Sequence, residues 1–340
     1  MAQQLGFADA FLADKAGQNR RLERIAALID WRAIEALLPG AVANGGPGRP
    51  AYAGLAMFKA LLLAQWYCLS DPGLEEAMAD RISFRRFCGF ALDQATPDET
   101  TFCRFRLSLA EGGRAEALMA ELDRQLGCKG FLVKEGTMID ATLIEAHAAR
   151  PPVARAPAEA VDGATQTPAD PALSVPQPTD QRLVDADARF TRKGSLTVYG
   201  YKAHVGVDVG SGLIRRAILT PANINDTTPA DDLIMGDEAA IYADKAYEKR
   251  ERRQALKARG VKDRIMHRAN KHQPVLPFWQ ARRNRLISSV RCAVERTFGT
   301  WKRSYAWTSM RYIGLAANAV DLQLKAFAFN LRRAEKLAAA

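Results

Sequence analysis

Apolar residues recur at helical spacing through residues 1–126, and glycine and proline cluster between the segments. That period predicts a first third made of several helices. A loop, NGGPGRP at 44–50, precedes the most apolar stretch of the chain, AYAGLAMFKALLLAQWYCL at 51–69. Lys59 and Gln65 stand mid-span there and are costly in lipid, so a buried core helix of about 20 residues is expected, not a membrane span. In SDPGLEEAMADRISFRRFCGF, Ser70 or Asp71 is the expected cap and Pro72 falls in the first turn. In TPDETTFCRFRLSL, Thr96 is the expected N-cap, with Glu99 three residues on.

The texture changes near residue 131. TMIDATLI, inside FLVKEGTMIDATLIEAH, is rich in β-branched residues and predicts a strand. Residues 149–182 carry seven of the sixteen prolines and predict a flexible insertion with nothing to pack. In YGYKAHVGVDVG, Tyr201, Ala203, Val205, Val207 and Val209 alternate with Lys202, His204, Gly206 and Asp208, the period of a half-buried strand. The SG pair at 211–212 turns it into a second strand, LIRRAILT. AAIYADKAY is a brief apolar run ending at Asp244, residues 246–259 predict a charged helix, VKDRIMHR a further strand, and about 278–336 more helix. This order implies an α/β core with a mixed sheet behind a helical region. At about 150 residues per domain, 340 residues suit two: 1–126, and 131–336 with the insertion at about 149–182.

Composition adds a partner. The hydrophobic fraction of 48% and charged fraction of 25% are those of a globular protein. The net charge is +10. Residues 245–303 hold 18 Lys/Arg and 4 Asp/Glu, a net of +14, while the rest holds 30 and 34. Aromatics Phe278, Trp279, Phe298 and Trp301 are interleaved, and Tyr305 and Trp307 follow at the segment's end. A concentrated basic stretch is the footprint of nucleic-acid binding; the bland reading is a solvated face or partners for acidic neighbours. Arg85, Arg86, Arg104 and Arg106 suit either a DNA-binding helical bundle or a packing domain with solvated arginines. The GRP of the 44–50 loop is a weak candidate for a minor-groove contact. Five cysteines without a C-x-x-C pair fit free thiols in a reducing cytosol, and the N-terminal sequence does not predict a signal peptide.

Three carboxylates carry the candidate chemistry. Asp140 interrupts an apolar strand, where an unpaired acid is costly; a metal ion or a pairing cation would each explain it. Asp244 follows an apolar run, at the strand edge where α/β folds place their sites; a helix cap explains it as well. In LISSVRCAVERTFGTWKRS, a continuous helix would align Leu286, Val290, Val294, Phe298 and Trp301 as an apolar stripe. It would also bring Arg291, Glu295 and Lys302 within about 40° of each other, either as a surface salt-bridge row or as a metal ligand flanked by phosphate-gripping cations. Oxygen ligands suit Mg²⁺, and paired ions serve phosphodiester chemistry. His204 and Met310 are expected to be structural. Leu315, Ala319, Leu322, Ala326 and Phe329 form a last stripe, most simply packed on the core, with a dimer seam as the sharper alternative.

At these residues the chain resembles the DDE transposases of bacterial insertion sequences, in the branch named for insertion sequence five and related to the insertion sequence four group. The resemblance rests on RPAYAGLAMFKALLL, DETTFCRFR, MIDATLI, DADARFTRKG, YGYKAHVGVD, TPANINDT, YADKAY and VERTFGTWKR. It implies an RNase H-like catalytic core. It implies Asp140, Asp244 and Glu295 as the catalytic and metal-binding triad, holding two Mg²⁺ ions with Mn²⁺ able to substitute. The family's signature of Tyr, Arg, Glu and Lys matches at Arg291, Glu295 and Lys302, whereas Ser288 stands at the tyrosine position. Expected DNA contacts are Arg291 and Lys302, then Lys245, Lys249, Arg250, Arg282 and Arg283; Asp187 and Arg189 are expected to support the site or to anchor a loop. The implied partners are the terminal inverted repeats and target DNA, bound by a homo-oligomer in the bacterial cytoplasm, at the nucleoid. Rival readings are a decayed or repurposed DNA-binding protein, a nuclease without strand transfer, and a helical RNA-binding protein.

Overall fold

The structure, a computed structural model, describes residues 17–39, 51–148, 184–269 and 274–339. The 44–50 loop and the proline-rich 149–182 stretch lie outside them. The first part is helical as expected: α1 (Arg20–Leu28), α2 (Trp31–Glu35), α3 (Gly54–Tyr67), α4 (Asp71–Asp80), α5 (Ile82–Cys88), α6 (Glu99–Leu109) and α7 (Arg114–Cys128). Local chemistry sets the boundaries. Ser70 caps α4 by accepting from Gly73 N at 3.2 Å, with Pro72 in the first turn. The α6 cap is Asp98, not Thr96: its carboxylate accepts from Thr101 N at 2.7 Å. α3 spans fourteen residues, shorter than its apolar run.

The sheet contains β1 (Thr137–Glu145), β2 (Arg189–Lys193), β3 (Leu196–Asp208), β4 (Ile214–Pro221), β5 (Ala240–Ala243) and β6 (Lys262–Ile265). β3 pairs antiparallel with β1, β2 and β4, while β1–β5 and β5–β6 run parallel. The sheet is therefore mixed. β3 is not half-buried: His204, Gly206 and Asp208 are as enclosed as the apolar residues between them, because helices or loops cover both faces of the central strand. β2 is an addition that the sequence pattern did not predict. Asp208 closes the corner, accepting from Val133 N, Lys134 N and Ser211 Oγ.

After α8 (Arg250–Ala258), the expected C-terminal helix is three: α9 (Phe278–Arg291), α10 (Ala293–Ser304) and α11 (Leu315–Ala338). The break between α9 and α10 at Cys292 disrupts the apolar stripe: Val294, Phe298 and Trp301 are buried, but Leu286 is 65% exposed. α11 is the hub of the molecule. It packs on α1, α3, α6, α7 and β4, and nearly every side chain from Asn318 to Leu331 is enclosed. Its stripe packs on the core. Two polar residues tie it to the sheet edge: Asn330 brackets Ile214, accepting from its N–H at 2.8 Å and donating to its carbonyl at 2.6 Å, and Gln323 donates to the Ala217 carbonyl at 2.8 Å. These bonds satisfy backbone that an edge strand otherwise exposes. Gln65 of α3 donates to Asp321 at 2.7 Å and accepts from Lys325 at 2.6 Å, which explains a glutamine inside an apolar helix. The N-terminal helices and the sheet thus share one core.

Candidate active site

The parallel register places Ile139 beside Ala243, so the residues that follow, Asp140 within β1 and Asp244 just past the end of β5, come near enough to feel each other's charge. Asp140 Oδ1 accepts from Ala141 N at 3.0 Å, and Oδ2 accepts from Arg291 Nη1 at 2.8 Å. Asp244 caps the 3-10 turn Lys245–Tyr247, accepting from Lys245 N at 2.6 Å. The cap and the strand-edge position are therefore both real. Arg291 ends α9 and Glu295 lies in the first turn of α10; their contact is looser, 3.7 Å, and the Glu295 side chain is 65% exposed. The guanidinium of Arg291 thus stands between Asp140 and Glu295.

Burial raises the Asp140 pKa, against the lowering effect of Arg291, and Asp244 adds to the rise. Tyr247 lies against the same cluster. Its hydroxyl is buried without a hydrogen-bond partner, and its pKa is raised by burial, then by Asp140 and Asp226. Asp226 forms an ion pair with Lys202 at 2.7 Å. Sequence reasoning did not single out Tyr247, Asp226 or Lys202, although each falls in a quoted motif; only the folded chain brings them beside the acids. His204, buried, bonds Thr220 at 2.9 Å and takes a structural place.

The other expected residues divide. Lys245, Lys249, Arg250, Arg282 and Lys302 are exposed. Arg283 is engaged internally, donating to the Asp263 and Ile265 carbonyls and meeting His267. Arg252 and Arg253 are likewise tied to Asp231 and Asp263, so part of the +14 segment is internal scaffolding. Asp187 accepts from Leu315 N at 2.8 Å, at the start of α11. Arg189 donates to the Ala186 and Ala188 carbonyls. Arg189 pairs with Gly200, which pairs with Glu145, five residues along β1 from Asp140. Among the helical arginines, Arg85 binds four backbone carbonyls and the buried Arg106 pairs with Asp71; for these two the packing reading holds.

A family model of the transposase DDE domain matches residues 132–331, and one described as a transposase domain matches 10–108. The chain belongs to the DDE transposase family. No solved structure matches it. The family acts on DNA and normally uses a divalent metal. Among the described residues, no three His, Cys, Asp or Glu side chains gather closely enough to hold one. Asp140 and Asp244 nevertheless fit as a pair of hard oxygen donors, while Glu295 turns to solvent and Arg291 supplies the positive charge between the carboxylates. This transposase family member also has no described helix long and apolar enough to cross a membrane.

Proposed function

We propose that the protein is the transposase of a bacterial insertion sequence in the insertion sequence five branch, cutting at the element's inverted-repeat ends and joining them to target DNA. The carrying observation is that Asp140 and Asp244 directly follow the paired residues Ile139 and Ala243 of parallel strands, with Arg291 reaching both Asp140 and Glu295. β4 and β1 flank β3, and β5 and β6 follow in parallel, an order that supports an RNase H-like core.

Asp140, Asp244 and Glu295 would hold two Mg²⁺ ions, with Mn²⁺ able to replace them; bound, such ions stabilise charge at a phosphodiester and ease in-line attack. Cleavage and joining are both in-line phosphoryl transfers, so one set of carboxylates serves both. Arg291 leaves Asp140 to grip a DNA phosphate, and the exposed Lys302 neutralises a neighbouring one. Lys245, Lys249, Arg250 and Arg282 extend this surface. Arg283 contributes field, its guanidinium being held by backbone carbonyls. Asp187 and Arg189 act on the site through the position of β3 and α11. Synapsis of two ends calls for at least two protomers, assembled on DNA at the nucleoid.

The test is Mg²⁺-dependent cleavage of labelled DNA carrying the gene's own flanks, with Asp244→Asn and Glu295→Gln alongside wild type. Cuts at the repeat boundaries by wild type alone support the reading. Equal cutting by Glu295→Gln removes that residue from the triad. A second reading, a decayed or regulatory DNA-binding protein, is favoured by Ser288 at the tyrosine position and by the solvent-facing Glu295. Binding without cuts, and cutting restored by Ser288→Tyr, would support it.

A further inference from the structure

A second basic site lies behind α10. A half-open cleft of about 360 Å³ is lined by Arg21 of α1, Arg296 of α10, and Arg332, Arg333 and Lys336 of α11. On α10, Arg296, Thr300 and Ser304 face this cleft; they lie about 100–180° around the helix from Glu295, whereas Lys302 lies about 20° from it. The cleft and the carboxylate cluster therefore use different faces of one helix.

The cleft is built and carries an excess of positive charge, five cations against two carboxylates. Arg333 Nε donates to the Ser211 carbonyl at 2.7 Å. Arg332 donates to the Trp66 carbonyl at 3.1 Å and lies over the Trp66 and Tyr305 rings. Bonds to carbonyls fix a guanidinium without cancelling its charge. The two lining carboxylates have other partners: Glu335 pairs with Arg24, and Asp208 accepts three bonds at the β1–β3 corner. Arg21, Arg296 and Lys336 are exposed and pair with no carboxylate among the described residues. Within the cleft, Tyr305 is 1% exposed, with its hydroxyl beside the Arg332 guanidinium. Guanidinium forks and hydroxyls in this arrangement suit phosphate oxygens. Cations drawn from three helices and continuing to the rim fit a chain of phosphates better than one compact anion.

We propose that this cleft is a second DNA-backbone site, holding a duplex segment separate from the one at Asp140 and Asp244. The inference rests on the DNA substrate of the proposed function.

The experiment measures binding of a labelled duplex of arbitrary sequence to the full chain by fluorescence anisotropy, in EDTA and across a salt series. Wild type is compared with the triple variant Arg21→Ala, Arg296→Ala, Lys336→Ala and with the double variant Arg282→Ala, Lys302→Ala on the carboxylate side. The triple variant is expected to lose at least about tenfold in affinity, with a salt slope smaller by about two to three. If it binds like wild type while the double variant loses binding, the second site is wrong and the proposed function stands. If neither wild type nor variants bind duplex, both readings fall. Inorganic tripolyphosphate is the competing probe: its loss in the triple variant with duplex binding unchanged would make the cleft a small-anion site and overturn the proposal. Should the triple variant lose its cooperative melt, Arg296→Glu alone, at an exposed unpaired position, repeats the comparison with the same criteria.

Discussion

Replacing Arg291 by glutamine separates two carboxylates that the sequence treats alike. Toward Asp140 the contact is 2.8 Å, with side chains 15% and 21% exposed. Toward Glu295 it is 3.7 Å, and the glutamate is 65% exposed. A unit charge pair at about 4 Å is worth about 4 kcal/mol at an effective dielectric of about 20, before desolvation of both groups is subtracted. Hydrogen bonds to charged groups contribute about 1.5–3 kcal/mol net. Discounted for the remaining exposure, an Arg291–Asp140 coupling of about 1–2 kcal/mol is expected. The Arg291–Glu295 coupling should be about 0–0.5 kcal/mol, as for exposed pairs. The assay is two double-mutant cycles by urea unfolding in EDTA, using Arg291→Gln with Asp140→Asn and with Glu295→Gln. Couplings of equal size, or a larger one for Glu295, would refute the reading of Arg291 as the partner of the buried strand acid.

Further outcomes follow from the same structure. Burial lowers His204 to about 4, below its ordinary value of about 6.5, so the unfolded chain takes up the proton first. Stability should then fall by about 3 kcal/mol as pH drops from about 6.5 to about 4; His204→Gln should flatten that limb in pH-dependent urea titrations, and an unchanged limb would count against it. Lys325, wholly buried with Asp321, should cost about 3–5 kcal/mol when changed alone to methionine, because Asp321 is left without its cation; chemical denaturation would show most of the loss recovered by adding Asp321→Leu and Gln65→Leu, since Gln65 bonds both charged groups. A Cβ at Gly200 would press into the Ile144 carbonyl across the β1–β3 pair, so Gly200→Ala should cost about 3 kcal/mol. A melting temperature within about 2 °C of wild type would contradict that.

The legible part of this protein was whatever depends on local period and local chemistry. TMIDATLI and YGYKAHVGVDVG lie in paired strands, and the SG turn lies between hairpin strands. Ser70 caps where a cap was expected. The cap at Asp98 was misplaced because Thr96 and Asp98 offer similar oxygens, and only backbone geometry chooses between them. β2 was missed because RFTRK has no apolar alternation; its strand state comes from pairing with β3. Leu286 falls in the same apolar stripe as Val294 and Phe298 only if the helix is unbroken, whereas the chain turns at Cys292.

By itself, the sequence determined most of the elements, the mixed sheet, the basic 245–303 segment and the transposase resemblance, because each is written in residues near one another along the chain. The tertiary structure decided which charges face solvent and which are internal. It set Asp140 near Asp244 through a three-residue parallel register. It tied Arg85, Arg106, Arg252 and Arg283 to backbone or carboxylates inside the fold. It also drew Arg21, Arg296 and Lys336 from distant positions into one cleft. Charge is a property of composition, but its pairing depends on distances between residues far apart in the chain, and only folding sets those.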